Sequence, residues 1–98
     1  MAILSYRDKA TRDIARGEDS KEARKALPPV LHQLARKRLA FLAAVESLQD
    51  IKGRKGLGLH ALKKERAGQY SIKINDQYRI CFIWTGSNAE IVEITDYH

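Results

Sequence analysis

Apolar residues recur at two different periods along this chain, and the change of period divides it. In VLHQLARKRLAFLAAVESL, residues 30–48, Leu31, Leu34, Leu39, Leu42, Val45 and Leu48 return every three to four positions, with Phe41 on the flank. That spacing lines one broad face of an α-helix. Arg38 falls inside the apolar arc, where its head either snorkels past the core edge or projects into a binding site. Further on the period becomes two. In YRICFIW, residues 78–84, Tyr78, Ile80, Phe82 and Trp84 share one side, and Arg79, Cys81 and Ile83 share the other. QYSIKI (69–74) and AEIVEIT (89–95) read as strands in the same way, because successive strand side chains point to opposite faces.

Breakers frame the remaining elements. AILSY, residues 2–6, reads as a first strand, and the helical stretch from Asp8 to Arg16 is stopped by Gly17. GEDSKEARK is a polar connection or a weak helical start, after which Pro28 and Pro29 suit the opening turn of the long helix. QDIKGRKGLG, residues 49–58, loses periodicity and reads as a mobile basic loop, followed by a short strand in LHALK. Asn75-Asp76 and Gly86-Ser87-Asn88 are tight turns between strands. The order predicts one α+β domain over residues 1–98, with an N-terminal strand and two helices packed on an antiparallel sheet.

Composition adds where the charge lies. The chain has 98 residues, too few for two cores, and a formal net charge of +6. Residues 36–79 carry a net +7, whereas residues 80–98 carry −3. A basic middle leading to an acidic end suggests a polyanion held over a reactive site. Cys81 is the lone cysteine, so no internal disulfide forms and a reducing compartment fits. No apolar run approaches the roughly 20 residues of a membrane span, and MAILSYRDK is not a secretory leader. A cytoplasmic protein away from membranes is expected.

The candidate chemistry sits in the second half. His60, Lys63, Lys64, Arg66, Lys73, Arg79, Asp96, Tyr97 and His98 offer acids, bases and cations. The histidines are scattered and GRKGLG opens no helix, so neither a metal site nor a nucleotide loop is read here, and no cofactor is expected. A metal-independent acid–base site beside a basic groove remains. RNA suits such a site, since its own 2′-OH is the nucleophile and the protein needs only to move protons and balance charge on phosphorus. ITDYH puts carboxylate, phenol and imidazole side by side at residues 96–98, which on the residues alone reads either as a frayed tail or as a proton-handling site.

LHALKKERAGQYSIKINDQYRICFIW followed by AEIVEITDYH strongly resembles the HigB family of toxins, members of the RelE superfamily often described as plasmid maintenance system killer proteins. The likeness is close over residues 57–98 and looser through LARKRLAFLAAVESLQDI. It implies a RelE-like fold, ribosome-dependent cleavage of mRNA codons in the A site of the 30S subunit, and neutralisation by a HigA-type helix-turn-helix antitoxin. Carried over by position, His60 and Lys63 match the family's active-site strand and Arg79 its phosphate-contacting arginine. Asp96, Tyr97 and His98 match its catalytic cluster. Lys52, Arg54, Lys55, Lys64, Arg66 and Lys73 would hold mRNA and ribosomal RNA phosphates. Where relatives read Leu-Lys-Gly-Asp, this chain reads Leu62-Lys63-Lys64-Glu65, a change that alters the turn or adds a phosphate contact. The loop before it also lacks the proline-rich stretch of many relatives. Three other readings stand beside this one: a ParE-type toxin that inhibits DNA gyrase on the same fold, a non-catalytic RNA-binding module, and a degenerate toxin that only binds its antitoxin.

Overall fold

The run YRICFIW forms a strand over its full length, and the sheet is assembled around it. In the computed structural model, which describes residues 2–96, four antiparallel strands lie side by side in chain order. They are β1 His60–Ala61, β2 Gln69–Lys73, β3 Tyr78–Trp84 and β4 Ala89–Asp96. Asn75 closes the β2–β3 turn by accepting from the backbone N–H groups of Gln77 and Tyr78 at 2.9 and 2.7 Å. A short polar side chain that imitates backbone is what such turns select.

One face of the sheet carries the helices: α1 Lys9–Arg16, α2 Lys21–Ala26, α3 His32–Ala44 and α4 Leu48–Lys52. Asp8, Ser20 and Ser47 cap α1, α2 and α4 by accepting from a first-turn N–H, which satisfies donors the helix leaves open. α1 ends at Gly17, where φ is 74°, a left-handed conformation that favours glycine and strains any side chain. The weak helical start in GEDSKEARK becomes α2 because Asp13 of α1 ties it down. Its buried carboxylate accepts from Lys9 Nζ and, at 2.7 Å, from the Ser20 hydroxyl. The Lys9 bond, seconded by Ser20, holds the Asp13 carboxyl below its ordinary range.

Two expectations about element boundaries change. The long helix does not reach Leu48: Val45 turns extended, and Ser47 starts α4 afresh. The buried face of α3 is consequently Ala35, Leu39 and Leu42, with Leu31 and Leu34 at its margin. Part of the expected loop 49–58 is therefore helical, anchored by the fully buried Ile51. Arg38 is half-buried, with its Nε enclosed and without a hydrogen-bond partner among the described residues.

The expected first strand is reduced to two isolated parallel bridges, Ile3 to Ala89 and Tyr6 to Val92, along the outer edge of β4. A β-bulge explains the reduction. β4 slips register opposite Phe82, Ile91 takes φ 50°, and the Ile91 N–H is satisfied by the Ser5 hydroxyl at 2.9 Å. A bulge interrupts the ladder that a regular parallel strand would need.

Ile72, Ile80 and Ile94 are register neighbours across three strands. With Phe82 and Val92 they meet Ile14, Leu27, Leu39, Leu42 and Ile51 in one core. Each such side chain contributes about 1.5–3 kcal/mol on burial, so this face holds the fold together. No helix among the described residues is long and apolar enough to cross a membrane.

Candidate functional site

The opposite face of the same sheet is built of polar rows. Directly paired residues point to the same side, so the register assembles His60, Ser71, Cys81 and Glu93 into one row across all four strands. Lys73, Arg79 and Thr95 form the next row toward the loop end, and Gln69, Ile83 and Glu90 flank the other side. Ser71 and Cys81, at the centre, are fully buried. Their small side chains make a floor on which long cationic side chains lie flat.

Arg79 lies on that floor. Its Nε donates to the Ser71 hydroxyl oxygen at 2.8 Å and its Nη2 to the carbonyl of Gly58. Arg66 arrives from the short 3₁₀ turn Lys64–Arg66 and donates to Glu93 at 3.0 Å and Gln69 at 3.1 Å. Arg7, from the N-terminal segment, approaches the second Glu93 oxygen at 3.4 Å. Glu93 thus sits between two guanidiniums and sets where they stand. Burial pushes the Cys81 thiol upward, against a smaller opposing pull from Arg66. The thiol stays protonated, which removes it as a nucleophile.

The basic loop is fastened to this face at its far end. The Lys73 N–H donates to the Leu57 carbonyl at 2.6 Å, Leu57 is buried, and Gly58 supplies the carbonyl that Arg79 binds. The loop's cations nevertheless disperse. Arg54 stacks over the Phe41 ring at 4.7 Å, and Lys52 lines a cleft of about 310 Å³ with Leu48, Gln49, Leu59 and Tyr70. Lys55, Lys63 and Lys64 are exposed. Lys64 adopts φ 57°, so the turn keeps a left-handed conformation in which a side chain is strained. The Lys73 ammonium reaches Asp76 at 2.8 Å and draws that carboxyl below its ordinary range.

The candidate residues therefore separate. His60, Arg66, Lys73 and Arg79 belong to the polar face. Lys63 stands exposed where the 3₁₀ turn begins. Asp96 pairs with Tyr78 and accepts from Gln77 Nε2 at 3.0 Å, which places it in the row of the other face. Tyr97 and His98 lie outside the described residues. Tyr70, Tyr78 and Trp84 pack against the core as half-buried rings. Sequence reading overlooked Ser71, Glu93, Gln69 and the Gly58 carbonyl. The alternation in QYSIKI already paired Ser71 with Gln69 and Lys73 on one side, but their partners on β1, β3 and β4 follow only from register.

This surface offers fixed cations for an anion and an exposed imidazole that can carry protons. Among the described residues, no group of three or more His, Cys, Asp or Glu side chains could hold a metal ion.

The family described as HigB-like toxin, the RelE-like toxin of the type II toxin-antitoxin system HigB, matches residues 5–98. The match takes in nearly the whole chain, and the chain belongs to that family. Its role is that of a toxin in a type II toxin-antitoxin module, which pairs with an antitoxin. A comparison with curated proteins gives no match.

Proposed function

We propose that this toxin is a ribosome-dependent endoribonuclease that cuts mRNA in the A site of the 30S subunit and so inhibits translation. The observation that carries the reading is Arg79, held from two sides on a polar sheet face beside His60. A guanidinium fixed in plane presents parallel donors to a phosphodiester. In the reaction a base takes the 2′-OH proton and the 2′-oxygen bonds to phosphorus. The bond from phosphorus to the 5′-oxygen breaks, and an acid protonates the leaving oxygen. The products are a 2′,3′-cyclic phosphate and a 5′-hydroxyl.

His60, Tyr97 and His98 are the proton-transfer candidates, each such transfer being worth about 10²–10⁴-fold. Asp96 orients them. Arg79 and Lys63 stabilise the charge that builds on phosphorus, where losing one donor costs about 3 kcal/mol of barrier. Arg66 and Lys73, with Lys52, Arg54, Lys55 and Lys64, hold flanking mRNA and ribosomal RNA phosphates. The partner is a HigA-type helix-turn-helix antitoxin, and the site of action is the cytoplasm.

Primer extension on mRNA from programmed ribosomes tests this, comparing wild type with Arg79→Ala, His60→Ala and His98→Ala. Cuts inside the A-site codon that vanish in Arg79→Ala and fade in the histidine variants are the expected result. Intact mRNA despite growth arrest would move the target to DNA gyrase on the same fold. Neither arrest nor cuts would leave an antitoxin-binding protein without activity.

A further inference from the structure

We infer that Ser71 is a positioning residue that sets the guanidinium of Arg79 for the phosphate, a step that rests on the RNA-cleavage reading. Ser71 is fully buried at the centre of the polar face, with Cα register partners His60 on one side and Cys81 on the other. Its hydroxyl oxygen accepts from Nε of Arg79 at 2.8 Å, while the Gly58 carbonyl takes Nη2. Two bonds to different nitrogens of one planar group fix both its location and its plane, which a single bond cannot do.

The geometry also explains why a small hydroxyl residue stands at 71. Arg79 is paired with Lys73, the strand neighbour of Ser71 on the same face, so the guanidinium must fold diagonally over position 71 to reach its partner. A side chain longer than serine or threonine would lift the guanidinium off the sheet, and alanine would remove the hydroxyl that accepts from Nε. Lys73 lies directly across from Arg79 with its ammonium turned to Asp76 at 2.8 Å, so it does not compete for the place over position 71. Ser71 thus opposes rotation of the guanidinium. The serine takes no proton and touches no substrate; its effect passes through Arg79.

A merely structural serine and a positioning one differ in three readouts of the full-length toxin. The Arg79 Nε–H cross-peak in a ¹H–¹⁵N spectrum should be sharp in wild type and Ser71→Thr, and broadened or absent in Ser71→Ala. Single-turnover cleavage on saturating programmed ribosomes should slow about tenfold in Ser71→Ala, with apparent ribosome affinity unchanged and the rate restored in Ser71→Thr. In an Arg79→Lys background, which lacks the Nε–H fork, Ser71→Ala should cause no further loss. A wild-type rate in Ser71→Ala, or an equal slowing in both backgrounds, would overturn the inference, as would an unchanged Arg79 cross-peak. Wild-type protein that cuts no mRNA, with the cross-peak behaving as expected, would instead sink the RNA-cleavage reading and leave Ser71 as an anchor without a catalytic role.

Discussion

The two faces of the sheet share the same backbone and are stabilised in opposite ways. On the helical face, Ile72, Ile80 and Ile94 form a row in contact with Leu39, Leu42 and Ile51. Each contact there is weak and non-directional, and the total is large. On the polar face, Ser71, Arg79, Arg66 and Glu93 are held by a few directed bonds. That face contributes little net stability, since part-exposed ion pairs are worth about 0–1 kcal/mol. The fold is carried by one surface, which leaves the other to be arranged for charge.

The largest effect that would break this comparison is on the helical face. Phe82→Ala removes a fully buried ring stacked on Tyr70 and should cost about 3–5 kcal/mol, read as a lowered denaturant midpoint. A cost below about 1 kcal/mol would mean that the core is not where the stability lies. On the polar face, Arg79→Ala should do the reverse. Cleavage should fall by about a hundredfold or more, while the unfolding midpoint shifts by less than about 1 kcal/mol. A large loss of stability in Arg79→Ala would make the guanidinium a structural strut.

A smaller effect separates the buried Asp13 carboxylate of the helical layer from its apolar neighbours. Asp13 has its carboxyl lowered by the Lys9 bond and then by Ser20. A group whose folded pKa is depressed stabilises above its unfolded value, about 3.9 for Asp, and loses that stabilisation as pH falls through the folded value. Thermal stability should therefore fall as pH drops below about 4, and Asp13→Asn should flatten that acid limb. Identical limbs would remove Asp13 from the account of how α2 is held. The smallest effect concerns the turn that delivers Arg66. Lys64 stands at φ 57°, so Lys64→Gly should raise stability by about 1 kcal/mol, while the loss of one phosphate contact lowers cleavage modestly. Unchanged cleavage would remove the lysine from the phosphate contacts.

How far the chain could be read depended on the range of the interactions. β3 runs from Tyr78 to Trp84, as its alternation predicts, and Gly17 ends α1 where expected. Both outcomes follow from neighbours within a few residues. The apolar period continues through Leu48 and hides the break at Val45, although Ser47 and Asp50 carry a cap signal. α2 is only weakly written in its own residues because its stability comes from Asp13, which no local pattern connects to Ser20. The N-terminal segment reads as a regular strand because nothing local foretells the bulge at Ile91 on a strand eighty-odd residues away.

The candidate site divides in the same way. The sequence by itself determined the supply of chemistry: the cations of residues 52–79, the small residues Ser71 and Cys81, and the likeness in SIKINDQYRICF that pointed to the family. It also determined which side chains alternate within each strand, since that is a property of consecutive residues. Only the tertiary structure decided which strands pair and in what register. Register placed His60 beside Ser71 and Cys81 beside Glu93, bent Arg79 onto Ser71 and Gly58, and set Asp96 in the row of Tyr78. A shift of one residue would have exchanged the two faces. What forbids that shift is the burial of Ile80, Phe82 and Ile94 under the helices, a long-range term that no short stretch of the chain contains.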